Sequence, residues 1–341
     1  MRVFLTGATG LVGRHVAEQL LARGYEVTAL VREEGAAAAL RDRGVSLLRG
    51  DVREHERLAR AVREHDATVH AAAVILDRSD WAAYHALNVA PTEAIARAAA
   101  AAGRRLVHIS SVAVYGRRRT YDGGPASVTE EFGLEQPLFP GDHYARSKRE
   151  AELALWRVVE ETGLNAVALR PCVLYGEFDR TFSPRLARAL RRRIAPLVGN
   201  GGNVLSVVYA GNVAAAVLAA LERSEVTGAF NVANDGSLTA RQFVERFASG
   251  LGIRPLLVPV PRQPARLAAN ALDLLLRAVR PGQPLTLLKN AVHFLGSDNP
   301  YVSRKAVVEL GWRPLKEPAV AAEDTGRWFA RAPGTEQFRA P

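Results

Sequence analysis

Residues 142–151 read DHYARSKREA and set Tyr144 four positions before Lys148, in a chain that has four lysines against 41 arginines. On a helix, positions i and i+4 share a face, so the phenol and the ammonium would stand side by side. A neighbouring ammonium favours the phenolate and lowers the tyrosine pKa toward working pH, which makes the hydroxyl a usable general acid or base. Arginine suits this task less well, because its planar fork seeks anions whereas lysine is a compact point charge. The chain holds a second copy of the spacing, YVSRK at Tyr301–Lys305. There Tyr301 follows Pro300, and Ser303 reads as the N-cap of a final helix SRKAVVEL, which leaves Tyr301 outside it. Tyr144 instead opens a continuous helical pattern, HYARSKREAELALWRVV.

The elements that must position this pair can be read around it. RLVHISSVAVYG is a buried strand ending in Ser110 and Ser111, and the carboxyl ends of such strands face the ligand, so either hydroxyl could hold a substrate carbonyl. At the start of the chain, RVFLTGATGLVGRHVAEQLLARGYEVTALVR reads as strand, glycine turn, helix and second strand. Gly7, Gly10 and Gly13 form a dinucleotide fingerprint between strand Arg2 to Thr6 and a helix with Val12, Val16 and Leu20 on one side. Gly7, Thr9, Gly10, Leu11 and Val12 are the expected cofactor contacts there, with the pyrophosphate at the helix N-terminus. At the tip of the second strand stands Arg32 rather than an acid, with Glu33 and Glu34 one step late, which favours NADP(H) over NAD(H). Arg14 is a second candidate phosphate contact. Further along, Asp51 and Val52 could flank the adenine, and Ala71, Ala72 and Ala73 are small enough for a cofactor to lie against the backbone.

Strands alternating with helices of about a dozen residues predict an α/β fold, a Rossmann-type doubly wound parallel sheet with a smaller, mainly helical C-terminal substrate-binding region. The expected division is 1–176 for the dinucleotide-binding domain, completed by about 204–233, then 177–203 and 234–330 for the substrate-binding lid region, and 331–341 as a tail.

Composition narrows the class. A single cysteine, Cys172, excludes internal disulfides and multi-cysteine metal sites, and no metal site is expected. The start MRVFLTG carries no secretory pattern and no later segment reads as a spanning helix, so a cytoplasmic protein is expected, with peripheral membrane contact left open. The net charge of +10 could serve an anionic substrate, a nucleic acid or a membrane. The RRR clusters at 117–119 and 191–193 lack interleaved aromatics, and nucleic acid is not the expected partner.

The ordered set TGATGLVG, HAAA, NVAPTEAI, HISSVAVYG, YARSK and LRPCVLYG resembles an extended short-chain dehydrogenase/reductase of the NAD-dependent epimerase/dehydratase superfamily, and the likeness runs to ELGWRP near the end. The resemblance implies that Tyr144 is the proton donor or acceptor, that Lys148 lowers its pKa and holds the nicotinamide ribose, and that Ser111 orients the reacting oxygen. It places Pro171 and Val173 among the cofactor contacts and leaves Asn88 between a supporting and a structural role. It also implies a homodimer through two helices that include the one bearing Tyr144.

Sugar-nucleotide members usually carry asparagine where this chain has Val173, arginine where it has Leu205 and aspartate where it has Asn212. Loss of a charge-assisted arginine contact argues against a diphosphate substrate, although Arg180 or Arg185 could substitute. Residues 258–295 resemble 3β-hydroxysteroid dehydrogenase-like members and a hopanoid-associated branch. In RLAANALDLLLRAVR, Leu267, Ala271, Leu274 and Leu275 share a face rimmed by Arg266, Arg277 and Arg280, as on a lid or an interfacial helix. The expected function is an NADP(H)-dependent oxidoreductase interconverting a secondary alcohol and a ketone on a hydrophobic molecule of steroid, terpenoid or flavonoid type. A nucleotide-sugar epimerase or dehydratase is the nearer alternative, and a non-enzymatic NADP-sensing or nucleic-acid-binding protein the farther one.

Overall fold

The structure is a computed structural model that describes residues 1–75, 80–116, 127–236, 238–279, 292 and 294–331. Its strands are β1 (Arg2–Thr6), β2 (Glu26–Val31), β3 (Ser46–Arg49), β4 (Ala67–His70), β5 (Arg105–Ile109), β6 (Ala166–Pro171), β7 (Val173–Tyr175), β8 (Ile194–Val198), β9 (Val207–Tyr209), β10 (Gly228–Val232) and β11 (Leu256–Val260). Its α-helices are α1 (Leu11–Ala22), α2 (Ala38–Arg41), α3 (His55–Glu64), α4 (Trp81–Tyr84), α5 (Ala90–Ala101), α6 (His143–Thr162), α7 (Phe182–Leu190), α8 (Ala210–Glu222), α9 (Ala240–Gly250), α10 (Arg262–Val279), α11 (Arg304–Val308) and α12 (Pro318–Arg331).

Seven parallel strands form the main sheet in the order β10-β6-β5-β4-β1-β2-β3. Strands β1, β4, β5 and β6 are buried almost throughout, so they read as apolar runs rather than alternating ones. Helices α1 and α8 pack on one face, with Val16 and Leu20 meeting Val213 and Val217 in a shared core. Helices α3, α5 and α6 cover the other through Leu58, Ile95 and Leu155. The order turns between β1 and β4, which opens a crevice at the carboxyl ends of these strands.

A third core, built on Tyr175, Phe243, Phe247 and Phe329, belongs to α7, α9, α12 and the small parallel sheets β7-β9 and β8-β11. Among the described residues no helix is long and apolar enough to cross a membrane.

The second tyrosine–lysine copy belongs to packing. Tyr301 is buried and stacks on Tyr115 at 6.1 Å, while Lys305 donates to the Ala229 carbonyl at 3.1 Å. Ser303 does stand at the N-terminus of α11, but its hydroxyl does not cap that helix. Instead Ser303 Oγ accepts from the Ala233 and Asn234 amides at 3.0 and 3.1 Å, which fastens the end of β10. Arg117–Arg119 and Arg280 lie outside the described residues.

Candidate active site

Asp142 caps α6 by accepting from the Ala145 amide at 3.0 Å, which sets Tyr144 in the first turn and Lys148 one turn on. Tyr144 is half-buried and Lys148 only 4% exposed. Lys148 Nζ donates to the carbonyl of Ile109, the last residue of β5, at 2.8 Å. Burial pushes the Lys148 pKa down to about 8, and the nearby Glu152 carboxylate opposes that fall.

The two serines after β5 point to different partners. Ser110 Oγ donates to Glu152 Oε2 in the interior. Ser111 begins the 3₁₀ turn Val112–Tyr115, where its Oγ accepts from the Ala113 amide at 3.2 Å. An accepting oxygen leaves the Ser111 hydroxyl proton to donate.

The glycine turn closes against the end of β4. Gly7 has φ +75°, and a Cβ there would lie 2.6 Å from both Ala71 C and Ala72 N. On Gly13 a Cβ would fall 2.1 Å from the Gly7 carbonyl oxygen. The glycines thus let the turn pack against α1 and the end of β4, with Gly10 exposed at the helix start, and Leu11 and Val12 lead the helix whose free N–H groups favour an anion. These residues fit a dinucleotide. Of the alanines after β4, Ala71 and Ala72 are half-buried and Ala73 exposed.

Arg32 is exposed just past β2 and makes no ion pair among the described residues, and Glu33 and Glu34 beside it are exposed. Asp51 lies beyond β3. A bidentate hydrogen bond from Arg53, at 2.8 and 3.0 Å, is the main cause holding its carboxyl below the usual range. Val52 is half-buried, as is Val173 at the start of β7, whereas Pro171 is buried at the end of β6. Arg14 reaches back to the Thr9 carbonyl at 3.3 Å and stacks on Phe178 at 4.8 Å. Burial first, and Arg180 second, lower its pKa, so two guanidinium groups share this end of α1.

A chain of polar groups that the sequence reading missed ties the cofactor turn to α6. Thr92 spends its proton on the Asn88 carbonyl at 2.8 Å, so it accepts from His70 Nε2 at 3.1 Å. Neutral His70 then accepts at Nδ1 from the Thr6 hydroxyl at 2.7 Å, and Thr6 Oγ1 accepts the Ala72 amide at 3.2 Å. Asn88, in the π-turn His85–Val89, clasps both backbone groups of Val74 and donates to Ser147 Oγ at 2.9 Å. Its role is to bind the loop after β4 to α6. The signal available in the sequence was His70, first residue of HAAA.

The diphosphate-site positions are also located. Leu205 is buried in the third core, and Asn212 is buried with its amide on Asp235 and the Lys316 carbonyl at 2.6 and 2.9 Å. Arg180 and Arg185 are exposed.

The family model for the NAD dependent epimerase/dehydratase family matches residues 3–233, the span that holds the glycine turn, Ser111, Tyr144 and Lys148. The chain belongs to this family. It is 32% identical to the 4-hydroxy-2-methyl-3-oxo-4-farnesyl-3,4-dihydroquinoline-1-oxide ketoreductase of Stigmatella aurantiaca, over 92% of either chain. It is 27% identical to the decarboxylating sterol-4-alpha-carboxylate 3-dehydrogenase of Mus musculus, over 95% of this chain and 89% of the relative. Among solved structures, the dTDP-glucose 4,6-dehydratase of Streptomyces venezuelae with NAD and TYD bound is 25% identical. It superposes with a TM-score of 0.73 over 99% of this chain and 100% of that one. The protein is thus an extended short-chain dehydrogenase/reductase, an oxidoreductase that uses a nicotinamide cofactor.

Proposed function

We propose that the protein is an NADP(H)-dependent reductase or dehydrogenase that interconverts a ketone and a secondary alcohol on a hydrophobic small molecule. The observation that carries this reading is the apolar character of the positions where sugar-nucleotide members hold a diphosphate. Leu205 is sealed in a core, and the Val173 side chain has no hydrogen-bonding group. The ketoreductase and sterol dehydrogenase relatives support the same substrate class. The region 177–203 and 234–330, which shares an aromatic core with β7 and β9, would form the substrate wall.

When bound, the nicotinamide supplies the hydride. Tyr144 gives its phenolic proton to the carbonyl oxygen, Ser111 donates a hydrogen bond to the same oxygen, and the Lys148 ammonium lowers the cost of the phenolate left behind. Anchored on the Ile109 carbonyl at 2.8 Å, Lys148 is held by the strand that also carries the serines.

The test is consumption of NADPH and NADH by the purified protein against steroid, flavonoid-like and aliphatic ketones, with UDP-sugars analysed for isomerisation in parallel. Net NADPH oxidation with an apolar ketone is the expected result. Sugar isomerisation without net cofactor change would assign the epimerase chemistry instead, with Arg180 as the first candidate for the diphosphate.

Arg32 is the proposed reader of the 2′-phosphate: it is exposed and forms no ion pair among the described residues, and its charge acts only at a distance on Asp51, whose carboxylate is held by Arg53. The Arg32→Ala variant is expected to lose about 10- to 100-fold in kcat/KM for NADPH, the size of one charge-assisted contact, and little for NADH. Equal losses with both cofactors would reject Arg32 as the discriminating residue.

Peripheral contact with an anionic membrane is part of the same proposal. On α10, Leu267 and Leu275 are 69% and 60% exposed, next to exposed Arg266. Ile194 and Leu256, paired across β8 and β11, are also exposed and follow Arg191–Arg193 and Arg254. The side chains of Leu274 and Arg277 lie outside the described residues. Co-sedimentation with phosphatidylglycerol vesicles is expected, weakened by added salt and by Leu267→Glu with Leu275→Glu. Equal recovery with pure phosphatidylcholine, or none with either, would reject the anionic surface.

A further inference from the structure

Glu152 is an acid with no solvent exposure, one turn beyond Lys148, so α6 presents Tyr144, Lys148 and Glu152 along one face. Its carboxylate accepts from Ser110 Oγ, from Trp156 Nε1 at 3.0 Å and from the Arg170 guanidinium, whose Nε reaches the two oxygens at 3.0 and 3.2 Å. Indole and guanidinium groups can only donate, so these contacts select the ionised carboxylate. Arg170 Nη1 also donates to the Tyr115 phenol at 2.6 Å, and Tyr115 donates to Asn231 Oδ1 at 2.8 Å. The network joins α6 to β5, β6 and β10.

Packing alone gives no reason for charge here. Neighbouring positions in this layer are filled by Leu155, Val158 and Ala168, and a buried ion pair holds two elements together no better than apolar groups of equal volume. The reason lies one turn away. The groups that bear on the buried Lys148 ammonium are His70 of β4, His108 of β5, the Ile109 carbonyl and Glu152. The two imidazoles stack at 5.4 Å, and burial keeps both neutral, with His70 pushed down to about 3. Both nitrogens of His108 are buried without a hydrogen-bond partner. Among the described residues, Glu152 is therefore the one anion acting on Lys148, whose ammonium is buried.

We propose that Glu152 is a positioning residue for Ser111, Tyr144 and Lys148: its carboxylate keeps the buried Lys148 ammonium charged, and through Ser110 it fixes the strand end that carries Ser111. Arg170 has a supporting part, because its guanidinium pairs with the buried carboxylate. The catalytic consequence rests on the reading of Tyr144 and Lys148 above, while the electrostatic claim can be measured without it.

The scarcity of lysine makes the measurement direct. Protein grown with ε-¹³C-lysine carries labels at only Lys148, Lys289, Lys305 and Lys316, and the resonance lost in Lys148→Met identifies the site. The Lys148 resonance is expected to titrate with a midpoint near 8. In Glu152→Gln the midpoint should fall by about one unit or more, the scale of a charge interaction at an effective dielectric near 20. Because that variant strands Arg170, the double variant Glu152→Leu with Arg170→Met is measured beside it. It leaves no unpaired buried charge, and its Lys148 midpoint should also fall. A purely structural Glu152 would lower the melting temperature and leave the midpoint in place. A double-variant midpoint within roughly 0.3 unit of the parent overturns the proposal. No substrate is needed, so inactivity toward every ketone would sink the proposed function without touching this result.

Discussion

Tyr144→Phe should lose about 10²- to 10⁴-fold in kcat, the usual contribution of a positioned general acid, while its dissociation constant for NADPH changes less than about threefold. The separation is expected because the hydroxyl is the only group removed. Helix α6 keeps its Asp142 cap, and Lys148 keeps its bond to Ile109, so the cofactor side of the site is undisturbed. The parent enzyme should show a matching pH dependence. Lys148 is charged below about 8 and loses its proton as pH rises through that value, so kcat/KM for ketone reduction should decline on the alkaline side. Stopped-flow NADPH oxidation across pH 6 to 10 measures both quantities. Full turnover in the phenylalanine variant would remove Tyr144 from the chemistry and leave Ser111 as the remaining proton donor near the end of β5.

What was legible in the sequence was what repeats at short range. The strand Arg2–Thr6, the turn glycines, the helix after Ser303 and the shared helix of Tyr144 and Lys148 each depend on residues fewer than five positions apart, although the helix after Ser303 is not the last, because α12 follows it. The parallel sheet followed from alternation of strands and helices, because parallel strands need crossover connections, whereas alternation leaves the strand order open.

What was not legible depends on partners that meet only across the sheet. His70 meets Thr6 over 64 residues and Glu152 meets Arg170 over 18, and no local period announces either pair. Glu152 did carry one signal, since the spacing that joins Tyr144 to Lys148 extends one more turn to it. A lone acid on the buried side of a helix usually needs such a partner. The choice between Ser110 and Ser111 was likewise closed to local pattern, and only the family resemblance pointed to Ser111. Successive residues at a strand end face opposite ways, and which way is inward depends on what packs there. Glu152 and Arg170 make the Ser110 side the interior.

The glycine turn gives the complementary result. In Gly13→Ala, affinity for NADPH should fall by at least about 100-fold, the cost of moving binding groups by about an ångström. The new methyl would lie 2.1 Å from the Gly7 oxygen, 2.7 Å from Gly7 C and 2.8 Å from Ala8 Cα, all backbone atoms that no rotamer change can move aside. Gly7 cannot retreat either, because Ala71 and Ala72 stand against its other side. The clash must therefore lift α1 from the turn, carrying its first N–H groups away from the diphosphate. Overpacking of this kind should also cost about 1–3 kcal/mol of stability, so a thermal melt accompanies the binding titration. The two variants separate binding from chemistry: Tyr144→Phe holds cofactor and fails to turn over, whereas Gly13→Ala fails to hold cofactor with its Tyr144, Lys148 and Ser111 intact. If Gly13→Ala bound NADPH as tightly as the parent, the diphosphate would not lie on this turn. Arg14 and Arg180, the two guanidinium groups beside it, would then be the next place to look for its contacts.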